Sequence, residues 1–173
     1  MADTVLRDLS ALPRVGFKGA DTACWLTLQG VTFGETCNRA YPQPDGSLLA
    51  RLSPGEFLLL GTAGAGLVQR LEAAWSWEAD AGLCFPVPRR DSHAWFQLGG
   101  SKAPEVFATL CGVDLRPHRF ADRAVAQTSV ARLNAIIVRD GGALHLLVDS
   151  ASAEYLHACL TDAITHCGQS ALT

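Results

Sequence analysis

The sequence predicts an α+β fold in which antiparallel sheets are backed by helices, arranged as two similar units. Three observations predict it. Helical stripes ending at glycine occur twice, at Trp25-Leu-Thr-Leu-Gln-Gly-Val31 and Phe107-Ala-Thr-Leu-Cys-Gly-Val113. Tight turns lead into apolar strands twice, as Ser53-Pro54-Gly55 before Glu56–Leu60 and Asp140-Gly141-Gly142 before Ala143–Leu147. Each of those strands then runs into a second helix.

Taken in order, Arg14–Lys18 reads as the first strand. Ala20, Cys24, Leu28 and Val31 follow at helical spacing, with Gly30 as a left-handed cap. Pro44-Asp45-Gly46 turns into a strand over Ser47–Leu52, which pairs with Glu56–Leu60. Leu67, Val68, Leu71 and Trp75 then mark a helix. The second unit repeats this order. Ala94–Leu98 is its first strand, and Ala103, Val106, Phe107, Leu110 and Cys111 form a stripe ending at Gly112. Ala124–Leu133 pairs with Ala135–Arg139, and Ala143–Leu147 leads to a helix carrying Leu156, Cys159, Leu160 and Ala163, capped by Asp149 or Ser150. The expected organisation is one domain over 1–173 with an internal repeat, 14–77 and 93–168. The two copies are joined by a crossover, 78–92, that holds Pro86, Pro88 and Arg89-Arg90.

Size and charge narrow the function. A chain of 173 residues buries roughly two thirds of its unfolded surface without a disulfide or metal staple. The net charge of −3 with 14 Lys+Arg supplies no basic stripe for nucleic acid. The longest apolar runs, Phe57–Leu60 and Ala135–Val138, fall far short of the ~20 residues of a membrane span. Acids at Asp3 and Asp8 do not suit a signal peptide, so a cytoplasmic setting is expected. The six cysteines then read as reduced thiols, with Cys24, Cys111 and Cys159 on helix stripes.

No segment carries a self-sufficient active site. Gly61-Thr-Ala-Gly-Ala-Gly66 follows a strand and opens a helix, where a phosphate cradle belongs. A dinucleotide fingerprint would need glycine at position 69, which is Gln69, and the Walker lysine is missing. The expectation is a flexible helix start. His93, His118, His145, His157 and His166 show no ligand spacing, and Cys159 with His166 is the nearest approach to a metal pair. His145 is expected to pack or pair locally within its strand. No G-x-S-x-G elbow, catalytic cysteine context or carboxylate pair is present. The polar run Gln127–Asn134, read as a strand, puts Thr128, Val130 and Arg132 on one face and Gln127, Ser129 and Ala131 on the other. It is either a solvated edge strand or a strand that meets a pocket or partner.

Several of these segments carry a family resemblance. Trp95-Phe-Gln-Leu-Gly-Gly100, Ala126-Gln-Thr-Ser-Val-Ala-Arg132, Leu144-His-Leu-Leu-Val148 ahead of Tyr155-Leu156, and Arg51-Leu-Ser-Pro-Gly-Glu-Phe-Leu-Leu-Leu-Gly61 resemble the gamma subunit of heterotetrameric sarcosine oxidase. The resemblance covers residues 6–168 and is strongest in the second half. It implies the folate-binding, aminomethyltransferase-like fold of the glycine-cleavage T-protein, with two pseudo-symmetric halves. It also implies a complex that oxidises sarcosine to glycine, passes the one-carbon unit to tetrahydrofolate and produces hydrogen peroxide. Flavins, NAD, tetrahydrofolate and zinc are then expected in the alpha, beta and delta subunits and none in this chain. No catalytic residue and no metal ligand carries over. The chain lacks the T-protein's C-terminal region and the K-G-C-x-x-G-Q-E string of the folate-fold proteins tied to iron–sulfur assembly. The resemblance therefore implies an accessory subunit. The alternative is a stand-alone folate-dependent aminomethyltransferase-like protein.

Overall fold

The structure is a computed structural model that describes residues 4–64, 66–78 and 80–169. Its elements are β1 (Val5–Asp8), β2 (Arg14–Lys18), α1 (Thr22–Leu28), β3 (Arg39–Pro42), β4 (Leu48–Ser53), β5 (Glu56–Leu60), α2 (Leu67–Ala74), β6 (Phe85–Val87) and α3 (Arg89–Ser92). They continue with β7 (His93–Gly99), α4 (Ala103–Ala108), β8 (Val125–Val130), β9 (Leu133–Asp140), β10 (Ala143–Asp149) and α5 (Ala153–Gln169). The chain divides into two compact units. One runs from Ala11 to Asp91; the other combines the described residues up to Ser10 with those from Ser92 onward.

The Ala11–Asp91 unit is built on an antiparallel sheet of order β3-β4-β5-β2-β6. Alternation sends Val15, Phe17, Leu49, Phe57 and Leu59 to one face, where Trp25 and Leu26 of α1 and Leu67, Val68 and Leu71 of α2 cover them. Trp25 packs on Phe17 with ring centroids 4.9 Å apart. Helix α1 ends in a Schellman motif. Gly30 takes φ +76, its N–H donates to the Thr27 carbonyl at 2.9 Å, and the Val31 N–H donates to Leu26 O at 3.0 Å. The buried face of α1 is Thr22, Trp25 and Leu26; of the expected line Ala20, Cys24, Leu28 and Val31, Val31 is buried and lies beyond the helix. Cys24 is exposed, and Leu28 is 76% exposed. In a helix of seven residues the largest apolar side chains choose the buried face, because burial free energy scales with area.

The second unit has an antiparallel sheet of order β1-β7-β10-β9-β8. Ala94, Phe96, Leu98, Ile137, Leu144, Leu146 and Val148 form a core with Val106 and Phe107 of α4 and Leu156 and Leu160 of α5. The Asp149 carboxylate accepts from Ala151 N–H at 2.8 Å, capping the 3₁₀ turn that opens α5. Gly112 is not among the glycines at positive φ. After α4 the chain makes an isolated bridge, Cys111 to Val130, so this helix end lacks the cap seen at Gly30. Cys111 is buried in that bridge region rather than on the helix, and Cys159 is half-buried.

The two sheets share one strand order. The run β3-β4-β5-β2 corresponds to β8-β9-β10-β7, and the fifth place is taken by β6 in one sheet and β1 in the other. Neither fifth strand was expected. β1 has four residues with no clean alternation, and its strand state comes from pairing with β7, Val5 opposite Gly99 through Asp8 opposite Phe96. The segment 78–92, expected as a crossover, supplies β6 and α3. Pro86 sits in β6 at the sheet edge, where a missing N–H is tolerated.

Candidate functional site

The glycine-rich segment 61–66 does lie between a strand and a helix, with Ala65 outside the described residues. The start of α2 is already served by a carboxylate. Asp45 Oδ2 accepts from Leu67 N–H at 3.1 Å, and Asp45 also accepts from Ser47 N–H and Oγ–H, both at 3.0 Å. Burial pushes the Asp45 carboxyl up, but these hydrogen bonds outweigh it and hold the group below its ordinary value. An anionic side chain therefore occupies the position a phosphate would need. Beside it lies a cavity of about 390 Å³ lined by Gly30, Gln43, Pro44, Asp45, Gly66, Leu67 and Arg70. Gln43 is buried and ties this wall together, donating to Thr32 O at 2.7 Å and Tyr41 O at 3.1 Å and accepting from Thr32 N–H at 3.1 Å.

The polar run Gln127–Asn134 is not one strand. It divides into the end of β8, a two-residue turn at Ala131-Arg132, and the start of β9, with Val130 paired to Leu133. Arg132 is exposed at the hairpin tip instead of sharing a strand face with Thr128 and Val130. Both turn residues hold positive φ, +48 and +67, the geometry of a type I′ turn without its usual Asn-Gly. Ala131 is held by its N–H to Leu110 O at 2.8 Å and by the Tyr155 hydroxyl donating to its carbonyl at 3.3 Å. β8 is an outer strand of its sheet, and Gln127 and Ser129 are exposed.

His145 pairs locally in its strand. Trp95 Nε1–H donates to His145 Nδ1 at 3.0 Å, across the β7–β10 pairing, so the ring proton sits on Nε2. That nitrogen faces Gln97 Nε2 at 3.5 Å and Asp140 Oδ2 at 3.9 Å. Burial lowers the His145 pKa, the Asp140 charge raises it, and Arg123 lowers it again; the net direction is down. The ring is neutral at pH 7. Asp140 is itself clamped by Arg123, a residue at φ +67. Among the described residues no hydroxyl or thiol hydrogen-bonds to His145, so the arrangement braces the β9–β10 hairpin rather than priming a nucleophile. Nor do three or more His, Cys, Asp or Glu side chains gather as a metal site among the described residues. No helix among them is long and apolar enough to cross a membrane.

No family model matches the chain. It is 26% identical over 141 residues to the sarcosine oxidase subunit gamma of Arthrobacter sp, covering 79% of this chain and 68% of that protein. The structure is similar to the heterotetrameric sarcosine oxidase of Corynebacterium sp. U-96, with a TM-score of 0.78 and 22% identity over 94% of this chain and 84% of that one. It is also similar to the glycine cleavage system aminomethyltransferase T of Bartonella henselae. There the TM-score is 0.66 at 18% identity, over 92% of this chain and 45% of that one. In sequence the chain resembles a sarcosine oxidase gamma subunit, and its α+β architecture is the folate-binding, aminomethyltransferase-like fold.

Proposed function

We propose that this chain is a gamma-like accessory subunit of a sarcosine oxidase-type complex. The observation that carries the reading is the similarity to a sarcosine oxidase gamma subunit over 79% of the chain. The shared fold at a TM-score of 0.78 agrees with it. In this reading the chain makes no bonds itself and holds no cofactor. Alpha, beta and delta partners hold the flavins, NAD, zinc and tetrahydrofolate site, and the assembly works in the cytoplasm. A single domain over 1–173, made by duplication of 14–77 and 93–168, belongs to the same proposal, and the matched strand orders of the two sheets support it.

Co-expression with the alpha, beta and delta subunits tests this directly. The expected result is stoichiometric co-purification, with sarcosine-dependent peroxide release by the assembly and none by the chain alone. The likeness to an aminomethyltransferase keeps a second reading, independent folate-dependent transfer. Failure to co-purify together with tetrahydrofolate-dependent transfer by the isolated chain would establish that alternative.

A further inference from the structure

The segment 75–85 of the Ala11–Asp91 unit carries an apolar surface that the core does not use. Trp77 is 79% exposed, Leu83 58% and Phe85 41%. These side chains are not loose. Trp77 meets Trp75 edge-on with centroids 5.0 Å apart and lies 6.2 Å from Phe85. Trp75 is anchored by its Nε1–H donating to Cys84 O at 2.8 Å. Asp21 fixes the next turn, its carboxylate accepting from Leu83 N–H at 2.7 Å. An exposed, preorganised Trp–Phe–Leu surface has the composition of an interface centre and is costly to leave in water.

Along the segment itself the charges carry one sign, with Arg70, Arg89 and Arg90 flanking it. Residues 71–88 contain Glu72, Glu78 and Asp80 and no Lys or Arg. Lys18, opposite Phe85 in the β2–β6 pairing, shares the Glu56 carboxylate with Arg89, at 3.2 and 2.9 Å. A small hollow of about 170 Å³ lies on the same segment, lined by Cys24, Trp25 and Leu28 with Asp21 and Asp80. It suits a long side chain with an apolar stem and a cationic head. Pro86 in β6 denies an incoming strand one backbone donor, which disfavours strand addition at this edge.

We infer that this face docks onto a larger protein subunit whose contacting surface is apolar at the centre and basic around it. The inference rests on the accessory-subunit reading and names the surface it would use. A second copy of the chain fits less well, because a two-fold contact would set the acids of one rim against those of the other.

The test compares wild type, Trp77→Ser/Phe85→Ser and Glu78→Lys/Asp80→Lys, each co-expressed with the alpha and beta subunits. Both variants should melt close to wild type, because they alter exposed side chains. Wild type is expected to co-elute with the flavoprotein subunits, less completely as salt rises. Each double variant should reduce recovery at least tenfold, and the charge reversal covers the case in which the aromatic variant misfolds. If both variants co-elute like wild type, docking lies elsewhere and only this inference falls. If wild type itself fails to bind, the accessory-subunit reading falls with it. If the chain alone forms a dimer that Trp77→Ser/Phe85→Ser dissolves, the occupant is a second copy and the inference is overturned.

Discussion

Ala131 and Arg132 hold left-handed backbone angles that cost a residue with a Cβ on the order of 1 kcal/mol each. Replacing them with Asn-Gly keeps the turn and removes most of that cost. Ala131→Asn/Arg132→Gly should raise stability by about 1 kcal/mol, seen as a higher urea midpoint with an unchanged slope. Gly19 makes the opposite case. It sits at φ +145, and a Cβ built there would lie 1.9 Å from the Leu83 carbonyl oxygen. Gly19→Ala should cost upward of about 3 kcal/mol and yield little folded protein. At His145 the effect is pH-linked. The unfolded ring takes up a proton near its ordinary pKa of 6.5, and the folded ring resists until lower pH. Stability is therefore fully present above that value and falls as pH drops through it towards the folded pKa. His145→Gln, which can still accept from Trp95, should lessen the loss between pH 7 and 5 in urea titrations.

Among the elements, α2 shows how far a short helix leans on tertiary contacts. Its start has Gly66 as cap residue with no side-chain cap of its own, and Asp45 reaches in from 22 residues earlier. Asp45→Ala should cost about 1 kcal/mol at pH 7. Because the folded pKa is held below 3.8, this contribution is present above that value and is lost as pH falls through the folded pKa. Wild type and variant should converge in urea titrations once the pH lies below the folded pKa. That carboxylate was not legible in the sequence, where Asp45 reads only as a turn residue. Strands rich in apolar and aromatic residues were legible: Arg14–Lys18 matches β2 residue for residue, and Ala94–Leu98 lies inside β7. So was the buried line Leu156, Leu160 and Ala163 of α5. β1 was not, because four residues of which one is half-buried carry no periodic signal. The Trp77–Phe85 surface was hidden for the opposite reason. An apolar residue in a sequence does not say whether the core has room for it.

For the whole molecule, thiol chemistry reports on packing. All six cysteines are free and should titrate once the chain is unfolded; fewer than six under non-reducing conditions would contradict the structure. In the folded protein exposed Cys24 should react first, with buried Cys84 and Cys111 waiting for unfolding. Cys84 should be the slowest of all, since burial pushes its thiol up and Asp21 adds to the rise. The placement of β1 adds a constraint in time. Val5–Asp8 pairs with residues 96–99, and the whole Ala11–Asp91 unit is encoded between them. As the chain leaves the ribosome, this first strand must wait through the synthesis of that entire unit before its partner exists, with Val5 and Leu6 unpaired in the meantime. The intervening unit can close on itself first, because every strand of its sheet is already out by Val87. A circular permutant that places residues 4–10 after the last helix would move the strand behind its partner, and nascent-chain folding of the second unit would no longer depend on a segment made some ninety residues earlier.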